Sequence, residues 1–135
     1  MKLITSKTLL HTESEGVTED EWPALKIKLY LAMSNHKKAI GLAAIQIGIK
    51  KRAFVIAKNN VLIYFKNPRY VTVSGFVTKH TEGCMSIPKK SFSVDRYDTV
   101  KVHDDVNGTQ TFNGYLAYVV QHELDHLDGI TIERK

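Results

Sequence analysis

The sequence predicts an α+β fold in one domain. Antiparallel β-sheets pack around a buried C-terminal helix, with an amphipathic helix near the N-terminus. Three observations carry this. Leu25, Leu29 and Met33 recur at four-residue spacing, the period of a helix with one apolar face. From residue 52 the chain turns to short apolar, β-branched and aromatic runs parted by Asn59-Asn60, Ser74-Gly75 and Asn107-Gly108, the pattern of hairpin-linked strands. Finally, Tyr115-Leu116-Ala117-Tyr118-Val119-Val120 runs into Gln121-His122-Glu123-Leu124-Asp125-His126. That segment is apolar almost all round, as a buried helix is. Helix, many strands, helix is an α+β order.

Residues 1 to about 17 show no period. Asp20-Glu21-Trp22-Pro23 reads as a helix start: Asp20 can cap, acidic groups suit the first turn, and Pro23 needs no N–H partner there. This helix runs to about Ser34. Ala39 to Gly48 reads as a core loop whose small residues let the backbone approach something closely. Ala53–Ala57 and Val61–Phe65 form a hairpin about Asn59-Asn60, ended by Asn67-Pro68. Tyr70–Val73 and Phe76–Thr78 are two shorter strands around Ser74-Gly75, and Gly83 and Pro88 mark turns. Thr99 to His103 alternates like a half-buried strand, and Asn107-Gly108 turns it back through Thr109 to Phe112. Asn113 caps the last helix, Gly129 ends it, and Ile130-Thr131-Ile132 adds a short strand.

The 135 residues suit one domain with one core, and 43% hydrophobic with 24% charged residues is ordinary for a globular chain. No apolar run approaches the roughly 18 residues of a membrane span. The first residues carry too short an apolar stretch for a secretory signal. The expectation is therefore a cytoplasmic protein without a membrane partner. Net charge is +5, from 19 basic and 14 acidic residues. The bases are scattered, so a solvated face is favoured over a specific nucleic-acid site. The balance still suits an RNA-rich neighbour such as the ribosome. The lone Cys84 excludes an intrachain disulfide. It is an inert core residue, a reactive thiol or a metal ligand.

H-E-x-x-H places His122 and His126 on one helix face, where both imidazoles reach one metal ion. Glu123 beside them can serve a metal-bound water as general base. The pattern has only three fixed positions and recurs in ordinary helices. Here the helix is expected to be buried, where His and Glu need partners or a metal. A catalytic site of this type wants a third protein ligand and an open position. The third-ligand place of the H-E-x-x-H-x-x-G-x-x-H pattern is Ile132, which cannot ligate, and only nine residues follow His126. The third ligand must come from upstream. Cys84 is the natural candidate, because a thiolate sits well beside two imidazoles on a transition metal.

Three stretches carry a resemblance: Gly41-Leu42-Ala43-Ala44-Ile45-Gln46, Glu82-Gly83-Cys84-Met85-Ser86 and Gln121 to His126. In this order and at these separations they resemble the three signature motifs of peptide deformylases, from about residue 39 to 133. The resemblance implies that Cys84, His122 and His126 bind one divalent metal, Fe²⁺ natively, with Zn²⁺, Ni²⁺ or Co²⁺ able to substitute. It implies Glu123 as general base and then acid. It implies oxyanion stabilisation by the Gln46 side chain and the Met85 backbone N–H. Ile40, Gly41, Glu82, Tyr115, Tyr118, Val119 and His122 would border the pocket for the substrate's first methionine. The implied activity is removal of the N-formyl group from N-formylmethionyl nascent peptides. The implied form is a monomer of the short type without a C-terminal extension, as in some viral members. Its place would be the cytoplasm of a bacterial cell or a virus-infected bacterial host. The chain departs from the family pattern at Ala39, Ile45, Met85, Tyr115 and Tyr118. The tyrosines bear on pocket size and polarity, and packing them in the core explains them equally well.

Two other readings compete. A general metallopeptidase leaves Gln46 and Cys84 without a role. A structural metal site wants a fourth protein ligand. His11, His36, His80 and His103 are read as surface or core residues.

Overall fold

The computed structural model describes residues 2–134. Its order is α1 (Lys7–Leu10), α2 (Trp22–Asn35), β1 (Gly41–Ala43), a 3-10 helix (Ala44–Ile47), β2 (Ala53–Lys58), β3 (Val61–Lys66), β4 (Arg69–Cys84), β5 (Ile87–Asp104), β6 (Gly108–Asn113), α3 (Tyr115–Leu127) and a second 3-10 helix (Ile132–Arg134). The strands form two antiparallel sheets, ordered β1-β2-β3 and β4-β5-β6. The α+β expectation holds.

Strand alternation in β2 sets the layers. Phe54 and Ile56 point to a core shared with Ala117, Val120, Leu124 and Leu127 of α3 and with Val100, Val102 and Phe112 of the second sheet. Phe54 and Phe65 stack at 4.3 Å between ring centroids. Ala53 and Val55 point the other way, onto Leu25, Leu29, Ala32 and Met33 of α2. The helix α3 therefore lies between the two sheets, and α2 covers the far face of the first. Burying each large apolar side chain in such a core is worth about 1.5–3 kcal/mol.

Several expectations need correction. Residues 1 to 17 contain the short α1, and Glu15 bridges to Lys51. Asp20 does not cap α2. Glu21 holds the N-cap position, and its carboxylate instead accepts from the N–H and hydroxyl of Thr18, at 2.9 and 3.0 Å. Pro23 does sit in the first turn, as its missing N–H allows. The expected loop at 39–48 is β1 plus a 3-10 turn. The two short strands around Ser74-Gly75 are one strand, β4, which absorbs those residues as a bulge between Ser74 and Val77. Gly83 lies inside β4, and the chain reverses at Met85-Ser86. The β5–β6 loop has three residues, Asp105 to Asn107, with Gly108 already paired to Asp104.

Asn113 does not cap α3. It ends β6 and its side chain accepts from Thr99 Oγ1, while Gly114 takes the cap position. α3 is buried over most of its length, as expected, but its first residue, Tyr115, is 58% exposed. Gly129 follows α3 at φ +73°, and a Cβ there would lie 2.7 Å from the His11 carbonyl oxygen. It is thus needed both for the left-handed turn and for close packing against the end of α1. Ile132 begins a 3-10 turn where a strand was expected.

Candidate metal centre and cleft

Two periodicities meet at the site. On β4, alternate residues Thr78, His80, Glu82 and Cys84 are half-buried while their neighbours are exposed, so all four share the face toward α3. On α3, Tyr118, His122 and His126 are spaced one turn apart. Two strand residues advance about 6.6 Å and four helix residues about 6 Å, so the two rows run in step. Tyr118 packs against His80 with the rings tilted (centroids 4.4 Å), His122 Nδ1 lies 2.8 Å from Glu82 Oε1, and His126 Nε2 lies 3.5 Å from Cys84 Sγ.

Cys84, His122 and His126 each offer one donor atom, all within 4.8 Å of one another. Ligands about 2.0–2.3 Å from a tetrahedral ion stand about 3.5 Å apart, so this sulfur–nitrogen set fits a divalent metal. Protonation points the same way. Burial lowers His122, but its contacts to Cys84 and Glu82 outweigh that and raise it to about 10. Burial, then the charge of His122, lowers His126 to about 3. A cluster that keeps one imidazole charged is one where a cation displaces a proton.

Behind the donors lies a buried ion network. Arg96, 1% exposed, donates through Nε and a terminal nitrogen to both oxygens of Glu82, each at 2.8 Å. Its other terminal nitrogen donates to Asp125. Burial would raise Glu82, but Arg96 and then His122 bring it down to about 2. Glu82 thus stays ionised and accepts from His122 Nδ1, which leaves Nε2 free to face a metal. His80 Nε2 is 2.7 Å from Glu82 Oε2 but is not aligned for a hydrogen bond.

Glu123 is also buried. Its Oε1 has no hydrogen-bond partner, and burial raises its pKa to about 7. Its Oε2 packs where only glycine fits, since a Cβ on Gly41 would lie 2.6 Å away. Gln46, from the first 3-10 helix, accepts the Ala43 N–H on Oε1 at 2.9 Å. Its amide nitrogen donates to Ser86 Oγ at 3.1 Å and lies 3.8 Å from Cys84 Sγ. These groups border a cleft of about 740 Å³.

The cleft wall includes Ile40, Gly41, Gln46, Glu82, Cys84, Met85, Tyr115, Tyr118, Val119, His122 and Glu123, all singled out from sequence. His126 reaches the donor cluster from behind it. The Glu82 carboxylate is committed to Arg96 and His122, so this residue differs from the simple pocket wall that was expected. His80 was set aside and is part of the wall, whereas His11, His36 and His103 lie outside it. Sequence reading also missed Arg96 and Ser86. The signal for His80 was the every-second-residue row ending at Cys84. For Arg96 it was an arginine at an inward place between Val94 and Val100.

A family model for polypeptide deformylases matches residues 3–135, which extends the likeness over the N-terminal segment that the motifs left out. The chain is 35% identical over 115 residues to the peptide deformylase of Orientia tsutsugamushi (strain Boryong), covering 72% of this chain and 64% of that protein. It thus spans under two thirds of that relative's length. It is 34% identical over 129 residues to the peptide deformylase of Thermotoga neapolitana, covering 92% of this chain and 79% of that one. The Met-Ala-Ser-bound crystal structure of the class I type b peptide deformylase from Acinetobacter baumannii matches with a TM-score of 0.88 at 26% identity, covering 100% of this chain and 98% of that one. Motifs, fold and donor cluster converge with these matches, and the chain belongs to the polypeptide deformylase family.

Proposed function

We propose that this chain removes the formyl group from N-formylmethionyl peptides, with residues 1–135 acting as one catalytic domain. The observation that carries this reading is the convergence of Cys84, His122 and His126 beside a buried Glu123 on one cleft. The three donors would hold one divalent ion, Fe²⁺ in the cell, replaceable by Zn²⁺, Ni²⁺ or Co²⁺. When bound, the ion supplies Lewis acidity, lowering the pKa of water and polarising the formyl oxygen.

The chain's own residues do the rest. Glu82, held by Arg96, orients His122 through Nδ1. Glu123 takes the proton of the attacking water and later delivers it to the departing amine. Burial, which raises its carboxyl pKa, favours holding that proton between the steps. The Gln46 amide nitrogen and the Met85 backbone N–H face the developing oxyanion, each worth about 2.7–4 kcal/mol. Ser86 fixes the orientation of the Gln46 amide by accepting from it. Ile40, Gly41, Tyr115, Tyr118 and Val119 border the methionine side chain. The Met-Ala-Ser tripeptide bound by the Acinetobacter protein is the corresponding product. The physiological partners are nascent formylated chains, met by a monomer near the ribosome in the cytoplasm.

The test is hydrolysis of formyl-Met-Ala-Ser, acetyl-Met-Ala-Ser and an unformylated peptide by metal-loaded and chelator-treated protein. Turnover of the formyl peptide alone, lost on chelation and restored by metal, is expected. Cleavage of the internal peptide bond would instead make the chain a metallopeptidase.

A further inference from the structure

The mouth of the cleft carries charge that the reaction does not use. Lys38, just before β1 of the first sheet, and Lys89 and Lys90, in β5 of the second, all line it. All three are exposed, and none makes an ion pair among the described residues. The carboxylates of the cleft lie at its floor and leave these lysines uncompensated. Glu82 is committed to Arg96 and His122, and Glu123 is buried against Gly41.

The backbone accounts for the lysines' position. Cys84 pairs with Ile87 and Gly83 with Ser91, so Pro88, Lys89 and Lys90 are extra residues on the β5 side of the ladder. Lys89 adopts φ +65° within this bulge. Bulges beside active sites re-aim side chains, and this one sets two ammonium groups beside the hairpin end that carries Cys84.

We propose that this rim selects formyl peptides bearing carboxylate side chains directly after the formylated residue. This rests on the deformylase reading above. A peptide whose N-terminus reaches the donor cluster must leave the cleft past these lysines. Acidic side chains there meet opposite charge. A single-stranded RNA would want stacking platforms along an open basic groove. These lysines instead share one cleft with Cys84 and His122.

The experiment compares kcat/KM for formyl-Met-Asp-Glu-amide and its isosteric neutral counterpart formyl-Met-Asn-Gln-amide, at low ionic strength and in about 0.5 M salt. Two exposed ion pairs amount to about a two- to thirtyfold preference for the acidic peptide, expressed in KM. High salt should compress it, and the combined Lys38→Gln, Lys89→Gln, Lys90→Gln variant should abolish it. Equal turnover of both peptides by the wild-type protein, or a preference that survives in the triple variant, overturns the proposal and leaves the deformylase reading intact. No turnover of either peptide sinks that reading, and this one with it.

Discussion

Gly41→Ala tests the placement of Glu123 with one methyl group. The added Cβ would lie 2.6 Å from Glu123 Oε2, 3.1 Å from its Cδ and 3.2 Å from its Cγ. Carbon contacts settle at about 3.5–4.0 Å, so the carboxylate must retreat by nearly 1 Å. It is buried, so the only way left to it is toward the cleft that it lines. A misplacement of about 1 Å costs on the order of 10²-fold in rate. Overpacking of this kind costs about 1–3 kcal/mol of stability. The three nearest atoms all belong to Glu123 and none to Cys84, His122 or His126, so metal content should stay at wild-type level. The assay is kcat at saturating formyl-Met-Ala-Ser, read beside metal content and the urea midpoint. A kcat within about twofold of wild type in a metal-loaded variant would refute the placement of Glu123 against Gly41.

Arg96→Met leaves the carboxylates of Glu82 and Asp125 without their buried cation. The expected cost is about 3–5 kcal/mol in urea unfolding, with metal affinity weakened about 10–100-fold through the loosened His122; an unchanged dissociation constant for metal would contradict the orienting role of Glu82. The pKa of Glu82 is about 2 in the fold against 4.5 for a free side chain, so the unfolded chain binds the extra proton between those values. Its contribution to stability is full above about pH 4.5 and is lost as pH falls toward 2, and Glu82→Gln should flatten that part of the Tm–pH curve. Tyr118→Ile removes the ring packed against His80. If the aromatic wall contacts the methionine sulfur, the preference for formyl-Met over formyl-norleucine peptides should fall by about two- to tenfold; an unchanged ratio removes Tyr118 from the pocket.

The parts of the site carried by local spacing were legible in the sequence. His122, Glu123 and His126 lie within one helical turn, Cys84 followed from the lack of a ligand after His126, and the α2 stripe and the β2–β3 hairpin declared themselves by period. What escaped depended on register between distant segments. Nothing near Arg96 in the chain says that it opposes Thr78 on β4 and reaches Asp125 on α3. His80 was read as a surface or core residue because the expected strand ended at Thr78; β4 runs on to Cys84 and puts 78, 80, 82 and 84 on one face. The bulge at Ser74-Gly75 hid that continuity, because a turn dipeptide and a bulge look alike from sequence. Asp20 fails as a cap because α2 starts one residue later, with Glu21 at the N-cap position, and Asn113 fails because its side chain is spent on Thr99.

The central claim is that Glu123 moves the proton while Cys84, His122 and His126 hold the metal. Glu123→Gln separates the two roles, since the amide nearly keeps the shape of the side chain but cannot accept a proton. The measurement is kcat for formyl-Met-Ala-Ser and metal content, on wild type and Glu123→Gln in parallel. The account predicts equal metal content and a kcat lower by at least about 10²–10⁴-fold. Near-wild-type turnover in metal-loaded Glu123→Gln would contradict it.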